Sequence, residues 1–513
     1  MDHPARRIRS TNAVLPASEI SSVRNRLSDA KTDLTYLSIQ IMAASSAVLE
    51  QLLDRRAELT AEIEAYQITL APHKKLPPEI LAEIFRYCVP CPVYLPPKLH
   101  EAPLLLCQIC SFWRSVALHT PTLWNNIEAR CYISYDRLLE MVKTWFSRSG
   151  TFAPLAIDIG PYRWCRRSFL VPELVDELII PYINRFRKIS ISLPTTLLQP
   201  LLRLPTGSAA LLEHFQLDLT DDDICWLEDD VLRNGPVTFF NSASHLRIAR
   251  FKSSLSNLQD PRIFSLPWIQ LTDLHFHGIF LPPDTCYAVL RQCANLVACT
   301  LGIFSRNRNQ ITATPNIVLP NLREFSLCVK RDITYAPFLQ PFVFTVLRML
   351  KLSTEHASGM SSLALAFASL SARSWFNLEV FILDGVRISS ADVTFILTNM
   401  PSLVELNLDW IHSLDATNLA MISRGALVPN LRVLRLHLTP PRLHAVVDMI
   451  ESRWRVDADH PNTGERRCIP ISQLREVTLY CAGWYRNESE SNLDISRLYG
   501  FQAEGLMIDL IDL

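Results

Sequence analysis

Apolar residues between positions 20 and 70 recur at steps of three and four, the spacing of a heptad seam along one face of a helix. One additional step of four, from Val48 to Leu52, interrupts the repeat as a stutter interrupts a coiled coil. The pattern predicts one long N-terminal helix within residues 1–72, ending at Pro72. It favours either a coiled coil, through which residues 20–70 join two copies of the chain, or an amphipathic helix folded back onto the rest of the protein. The seam consists of Ile20, Val23, Leu27, Ala30, Leu34, Leu37, Ile41, Ala44, Val48, Leu52, Leu59, Ile63, Tyr66 and Leu70.

A second apolar pattern begins at residue 186 and has the form L-x-x-L-x-L, with other apolar residues allowed in place of leucine. Successive copies begin 25 or 26 residues apart in six of ten intervals, a regularity that chance does not explain. Alternation inside each copy predicts a strand with one buried face. The copies are Phe186/Ile189/Ile191, Leu212/Phe215/Leu217, a weaker Leu246/Ala249/Phe251, Leu271/Leu274/Phe276, Leu296/Cys299/Leu301, Leu322/Phe325/Leu327, Leu347/Leu350/Leu352, Leu378/Phe381/Leu383, Leu403/Leu406/Leu408, Leu431/Leu434/Leu436 and Leu474/Val477/Leu479.

The segments that link these copies, such as 282–295 and 389–400, have helical spacing behind a capping Asp or Ser. One strand and one helix in about 25 residues is typical of a leucine-rich repeat, and the array resembles that superfamily. The resemblance implies an irregular solenoid over residues 131–513, with a curved parallel sheet on one side and helices outside. "APLAIDIG" at 153–160 is predicted to be an earlier strand. The predicted fold class is therefore α/β.

The array departs from the superfamily at the position after the strand, where an asparagine or cysteine usually bonds along the turns. Thr439, Ile411 and Lys330 stand at that position. The repeats are therefore irregular, and average spacing does not fix the register around 220–243 and 440–472.

Between the two patterns, residues 73–130 carry three short motifs in a fixed order. "LPPEILAEIF" starts with two prolines suited to a helix start and continues with apolar residues at helical spacing. After a proline-rich loop, a second apolar stripe runs along one predicted helix from Leu106 through Ile109, Cys110 and Trp113 to Ala117. "PTLW" at 121–124 ends that helix.

These motifs, L-P-x-E-I-L-x-x-I-F, then C-x-x-W-R-x-V-A, then P-x-L-W, resemble the F-box family in the F-box-like form common in fungi. The resemblance covers Leu76 to about Ile127. It implies a small three-helix module that binds a Skp-type adaptor and, through it, a cullin scaffold. Carried over by position, it implies an adaptor-binding edge and a set of core supports. The edge is Leu76, Pro77, Pro78, Ile80, Leu81, Ile84 and Phe85, and the supports are Cys110, Trp113 and Trp124.

A module of about 50 residues buries a small fraction of its surface, which also favours a bound partner. The resemblance implies the substrate-recognition subunit of a Skp-cullin-F-box ubiquitin ligase whose repeats bind a protein substrate. The alternative is a non-catalytic interaction scaffold whose diverged F-box no longer recruits the adaptor. A third alternative is an enzyme with an unfamiliar site in the insertion at 440–472.

The alternating pattern also predicts which side chains face a substrate. Residues between the buried positions of each strand lie on the concave surface of the expected solenoid, which is the natural binding surface of such proteins. We expect that surface to be mostly polar and suited to a protein or peptide. The predicted substrate-binding residues are His275, His277, Glu324, Glu405 and Arg435.

Two C-x2-C pairs, Cys88/Cys91 and Cys107/Cys110, have the spacing of a zinc site. A structural zinc site needs each pair on a tight turn, and "LLLCQICSFW" contains no turn residue. We therefore predict buried thiols, with no metal and no cofactor.

The composition narrows the class of protein further. The 50 Lys and Arg nearly cancel 51 Asp and Glu, so no global charge favours nucleic acid or an acidic membrane. No apolar run is long enough to span a bilayer, and no secretory signal is recognisable, which predicts a cytoplasmic or nuclear location. The phosphate-binding and nucleophile motifs of common enzymes are also missing, so we expect an adaptor without a catalytic site.

Overall fold

The computed structural model describes residues 16–43, 46–129, 134–159, 173–193, 197–219, 235, 237–241, 243–304, 316–330, 335–355, 363–374, 377–408, 414–438, 442–455, 471–481 and 491–512. The chain divides into two compact units at about residue 160. The domain boundaries predicted at 72 and 130 stay predictions. The regions of uncertain register are described in part: within 220–243 the described residues are 235, 237–241 and 243, and within 440–472 they are 442–455 and 471–472.

The first unit begins with two helices where the heptad seam predicted one. Helix α1 spans Ala17–Ala43, and helix α2 spans Ser46–Thr69. The two pack side by side and, because only residues 44 and 45 separate them, they run antiparallel. Their interface buries Ala30, Leu37, Leu59 and Ile63 and is flanked by Leu27, Leu34, Ile41 and Leu52. The prediction of one continuous helix was therefore wrong, because the seam residues pack against each other within one chain.

The rest of the first unit combines short helices with a small parallel sheet. Strand β1 pairs with β2, and β2 pairs with β3. The sequence predicted β3 but neither β1 nor β2. Two 3-10 turns accompany these elements, at Pro72–Lys75 and Pro121–Leu123. The helices are α3 Pro78–Cys88, α4 Leu106–Ile109, α5 Ser111–Leu118 and α6 Tyr135–Arg148, and the strands are β1 Val93–Leu95, β2 Asn126–Ala129 and β3 Leu155–Ile159.

The predicted single helix through residues 106–117 is broken at Cys110. Its backbone is extended, with φ −158° and ψ 169°, and its Sγ accepts a hydrogen bond from the backbone N–H of Trp113. Cys110 therefore caps α5 instead of lying inside a helix. A side chain that can satisfy a free N–H at a helix start competes with helix continuation, and helical periodicity alone does not detect this.

The second unit is a long parallel sheet in which most strands pair with the next strand of the same sheet in chain order. Every predicted copy of the apolar pattern from residue 186 onward forms one of its strands, and the sequence missed only the last one, β17. The strands are β4 Phe186–Leu193, β5 His214–Leu219, β6 Ile248–Asn257, β7 Asp273–Leu281, β8 Ala298–Ile303, β10 Glu324–Val329, β12 Met349–Thr354, β13 Val380–Asp384, β14 Glu405–Leu408, β15 Val433–Leu438, β16 Glu476–Cys481 and β17 Met507–Asp512. The α/β class with a long parallel sheet is thus confirmed.

The register of this sheet places equivalent positions of the pattern side by side. Phe381 pairs with Leu406 and Leu406 with Leu434, and all three side chains are buried. The same alignment holds from Leu350 through Val477. A 25-residue spacing therefore produces a continuous row of buried apolar side chains on one face of the sheet.

Helices and a minor sheet cover that face. The helices are mostly short, and several begin at a capping side chain, as Ser389 and Asp415 do. Strands β9 Ile317–Leu319 and β11 Phe342–Phe344 form a separate parallel pair. The helices of this unit are α7 Glu173–Leu178, α8 Gln199–Leu202, α9 Pro283–Leu290, α10 Tyr335–Leu339, α11 Leu363–Arg373, α12 Ser390–Thr398, α13 Ala416–Ser423, α14 Leu443–Trp454 and α15 Ser491–Ala503.

Polar side chains just before the strands join each repeat to the previous one. Asn295 Nδ2 donates to the carbonyl of Ile269 at 2.8 Å, and Asn430 Nδ2 donates to that of Pro401 at 2.9 Å. Ser402 donates equivalently to the carbonyl of Leu378. The sequence pattern gave these residues no role, but they satisfy carbonyls at the strand-start edge, where no helix or strand partner is available.

Candidate functional site

An exposed apolar stripe lies on helix α3. Pro77 precedes the helix, Pro78 occupies its first turn, and neither side chain is buried. Ile80 is 49% exposed, Ile84 is 42% exposed and Tyr87 is 86% exposed. Their spacing of four and three places them on one face of the helix. We call Ile80, Ile84 and Tyr87 the α3 stripe.

The other face of α3 anchors it to the first unit. Leu81 and Phe85 are buried, and the Phe85 ring lies 4.9 Å from that of Trp113. These two residues of the predicted adaptor-binding edge therefore support the helix and do not reach its surface. Leu76 is half-buried at the start of this segment. Sequence reasoning missed Tyr87, although it follows Ile80 by seven residues and Ile84 by three.

The predicted core supports hold α5 in place. Trp124 is fully buried and donates from Nε1 to the carbonyl of Ala117 at 2.8 Å. The Trp145 ring packs edge-on against it at 4.8 Å, and the Arg148 guanidinium lies 4.6 Å from its ring centre. Trp113 is half-buried and, through Phe85, links α5 to the helix that carries the α3 stripe.

The four cysteines of the C-x2-C pairs all lie in the described residues. Cys88 and Cys91 are exposed and Cys107 and Cys110 are half-buried, so the prediction that these thiols are buried was wrong. Burial raises the pKa of the Cys107 thiol. Asn126 Nδ2 donates to Cys91 Sγ at 2.8 Å. Within the described part of the chain, no three His, Cys, Asp or Glu side chains form a group that could hold a metal ion.

A second candidate surface lies on the second unit, on the sheet face opposite the buried leucines. We call it the open face. In its middle row the paired residues of β5, β6, β7, β8 and β10 are Gln216, Arg250, His275, Thr300 and Ser326. The predicted residues His275, His277 and Glu324 line a cavity of about 350 Å³ on this face, together with Arg250 and Lys252.

Hydrogen bonds and charges around the cavity fix the two histidine rings. The rings of His275 and His277 stack in parallel with their centres 5.5 Å apart, and His275 Nδ1 lies 2.9 Å from Thr300 Oγ1. His275 Nε2 lies 4.0 Å from Asp273 Oδ1, and its proximity lowers the pKa of the Asp273 carboxyl. Loss of solvent, together with His275 and Arg250, lowers the pKa of His277 to about 4. His277 is therefore neutral near pH 7, and a neutral imidazole has one donor and one acceptor for a ligand.

The cations of the cavity are partly balanced by neighbouring carboxylates. Lys252 Nζ lies 3.3 Å from Asp218 Oδ2, and Asp273 and Glu324 lie close to Arg250 and the histidines. The surface thus offers imidazole rings, hydroxyl groups and both signs of charge. Such a surface suits a polar protein segment better than a small apolar ligand.

The remaining predicted residues, Glu405 and Arg435, lie elsewhere on the open face. Arg435 forms an ion pair with Glu405 on one side. On the other side its Nη2 lies 2.7 Å from Glu476 Oε1. Five strand steps separate β14 from β7, which places this network about 24 Å from His275. The structure therefore groups three of the five predicted residues in one cavity and places the other two in a separate network.

Two further comparisons concern the hydrophobicity of the helices and the similarity of the chain to known proteins. Among the described helices, none is long and apolar enough to cross a membrane. Comparison of the chain with protein-family models and with curated proteins finds no match to either.

Proposed function

We propose that this protein is an F-box-like substrate receptor of a Skp-cullin-F-box ubiquitin ligase, with a leucine-rich repeat array as its substrate-binding part. It acts as an adaptor and not as a catalyst. The α3 stripe binds the Skp-type adaptor, and the open face binds a protein substrate. The observation that carries the proposal is the α3 stripe, because it lies in the motif that resembles the adaptor-binding edge and is apolar yet exposed.

Physical chemistry supports a partner at this place. Exposing Ile80, Ile84 and Tyr87 together on one helix leaves apolar area in water, which costs about 25 cal/mol per Å². The same helix buries Leu81 and Phe85, so the stripe is a second, independent apolar face. Helices that are apolar on more than one side usually pack on more than one side. A bound adaptor would cover the exposed side.

The test is co-purification of the full chain with a Skp-type adaptor. The double variant Ile80→Asp with Ile84→Asp should weaken adaptor binding by about a hundredfold, since two central apolar contacts become charged. Its thermal unfolding should stay close to that of the wild type, because both side chains are exposed. Arg86→Asp is the matched control: it also places an acid on the surface of α3, but outside the stripe, and binding should persist.

Phe85 should not be used in this test. A charge at that position would face Trp113 in the core and unfold the module, so loss of binding would not report on the surface. If the wild-type protein does not bind the adaptor, the proposal fails and the interaction scaffold remains. The open face would then still serve as its binding surface.

Self-association through residues 20–70 stays a prediction. The helical hairpin already uses its seam internally, so a second copy would contact the apolar side chains left outside, Tyr36, Ile39 and Met42. Sedimentation velocity of the full chain checks it. A concentration-dependent dimer that Ile39→Asp abolishes supports the contact, and a monomer at all concentrations removes it.

A further inference from the structure

A groove of about 610 Å³ follows the edge of the second unit's sheet where strands β6, β7, β8 and β10 begin. Its walls carry the arginines Arg247 and Arg323, the amides of Asn295 and Asn321, and the apolar side chains of Ile269 and Val346. Arg247 and Arg323 stand directly before β6 and β10, at the same position of the repeat. We call it the strand-start groove. It lies at the start of the strands, whereas the open-face cavity is built from residues within them.

Backbone hydrogen bonds fix the spacing of the groove. The backbone N–H of Thr272 donates to the carbonyl of Arg247 at 2.9 Å. In the same way, the N–H of Val297 donates to the carbonyl of Thr272 at 2.7 Å, and the N–H of Arg323 donates to the carbonyl of Val297 at 2.8 Å. Neighbouring strands are about 4.8 Å apart, so three steps place Arg247 and Arg323 about 14 Å from each other. An extended peptide covers that distance in about four residues.

The charge of the groove favours an anionic ligand. Among the residues that line it, no carboxylate accompanies the two arginines. Other arginines at the same edge are neutralised: Arg187 pairs with Glu213 at 2.6 Å, and Arg348 pairs with Glu379 at 3.1 Å. Within the described residues, Arg323 makes no side-chain hydrogen bond or ion pair, and Arg247 makes one bond, to the carbonyl of Gln270. Both guanidinium groups therefore retain donors for a carboxylate.

The space between the arginines is suited to a peptide backbone. Asn295 Nδ2 donates to the carbonyl of Ile269, and the bond from Asn321 Nδ2 to Ala294 is long, at 3.5 Å. Each amide keeps its oxygen and one N–H for a ligand, and a peptide group offers the matching donor and acceptor. Ile269 is 68% exposed and Val346 is 42% exposed beside these amides, so an apolar side chain of the ligand would cover them.

We propose that the strand-start groove binds an extended segment of another protein that has two carboxylate side chains four residues apart and an apolar side chain midway between them. In an extended chain these three side chains point to the same side. The carboxylates reach Arg247 and Arg323, and the apolar side chain lies over Ile269. Nucleic acid fits less well, because tight phosphate binding needs more than two available cations. This site would act in addition to the open face.

Fluorescence anisotropy of the full chain tests the proposal with a labelled nine-residue peptide that carries two glutamates four positions apart and a central leucine. Saturable binding should weaken about tenfold when both glutamates become glutamine, and also when they stand side by side. Arg247→Ala and Arg323→Ala should each weaken it about fivefold to tenfold, with unchanged thermal unfolding because both side chains are exposed.

Arg475→Ala is the matched control, because Arg475 has the same repeat position before β16 but lies outside the groove. It should leave binding unchanged. The proposal is overturned if the peptide does not bind up to millimolar protein, if the glutamine peptide binds equally well, or if Arg475→Ala has the same effect as Arg247→Ala. Tighter binding of a single-stranded oligonucleotide, lost in the same arginine variants, would identify the groove as a nucleic-acid site instead.

Discussion

The helical hairpin of residues 17–69 and the parallel sheet of the second unit bury apolar side chains in different ways. The hairpin has a single narrow seam, and its core residues, such as Leu59 and Ile63, stay slightly exposed. In the sheet, Leu406 lies fully buried between Phe381 and Leu434, with helices above them. A two-helix seam has water on both sides, whereas each sheet strand is enclosed by its neighbours. The same side chain should therefore contribute more to stability in the sheet.

The largest expected effect is in the sheet unit, at a residue that no repeat pattern marks. Arg453 is fully buried in α14, and its guanidinium donates to the carbonyls of Ile422, Val428, Pro429, Leu431 and Ser472 at 3.0–3.3 Å. Burial lowers its pKa to about 10, so it stays charged near pH 7. Arg453→Met should lower local stability by about 3–5 kcal/mol, because these carbonyls lose a buried charged donor.

Hydrogen exchange of β14 to β16 measures this effect, since a repeat array opens locally. Arg455→Met is the control: Arg455 directly follows the same helix and makes exposed ion pairs with Glu451 and Glu504, so its loss should change exchange little. Equal effects of the two substitutions would show that the buried guanidinium has no special role.

A matched pair of leucine substitutions compares the two regions directly. Leu406→Ala in the sheet should cost about 3.5 kcal/mol, because the cavity is enclosed on all sides. Leu59→Ala in the hairpin should cost about 2 kcal/mol, because water and nearby side chains can fill the space. Exchange protection of β14 and of α2 gives the two values. If Leu59→Ala lowers the stability of the hairpin as much as Leu406→Ala lowers that of the sheet, the comparison is contradicted.

A smaller effect should appear on acidification, and only in the sheet. Burial, with Arg250 and Lys188 nearby, lowers the pKa of His214 in β5 to about 4, below the usual value of 6.5. Between pH 6.5 and 4 the unfolded chain binds more protons at His214 than the folded chain does. The contribution of His214 to the free energy of unfolding is therefore complete above pH 6.5 and is lost as the pH falls. For this half-buried ring we expect a loss of about 1 kcal/mol from pH 7.5 to 5, after allowance for solvent screening.

Exchange protection of β5 at the two pH values, corrected for intrinsic rates, checks this prediction. His214→Gln should reduce the pH dependence of β5. Residues 17–69 contain no histidine, so protection of the hairpin should stay constant over the same range. A pH dependence of β5 that His214→Gln leaves intact would assign the effect to another group.

The two regions also differ in what could be predicted from sequence. In the sheet, the 25-residue spacing predicted both the strands and their neighbours, because equivalent leucines must align to form one buried row. In the hairpin, the heptad spacing predicted the buried face but not its partner, since the same seam can face a second copy or its own chain. Periodicity identifies a buried surface, and only a repeated unit also identifies what covers it.

The exposure of the candidate residues was predicted in part, and their roles stay predictions. Ile80, Ile84, His275, His277 and Glu324 lie on accessible surfaces as expected. Leu81 and Phe85 do not lie on an accessible surface, because successive residues of a helix point to different faces. Composition alone does not distinguish the buried apolar residues of α3 from the exposed ones. Glu405 and Arg435 neutralise each other across β14 and β15, a contact that depends on strand register. Arg453 and the strand-start groove depend on loops whose course no pattern predicts.

The central claim is that helix α3 is the adaptor-binding element. Hydrogen exchange of the full chain with and without a saturating Skp-type adaptor tests it most directly. We predict that the backbone amides of residues 79–88 gain at least about tenfold protection on adaptor binding, while those of β14 to β16 do not change. If α3 exchanges at the same rate with and without the adaptor, the α3 stripe is not an adaptor-binding surface and the claim is contradicted.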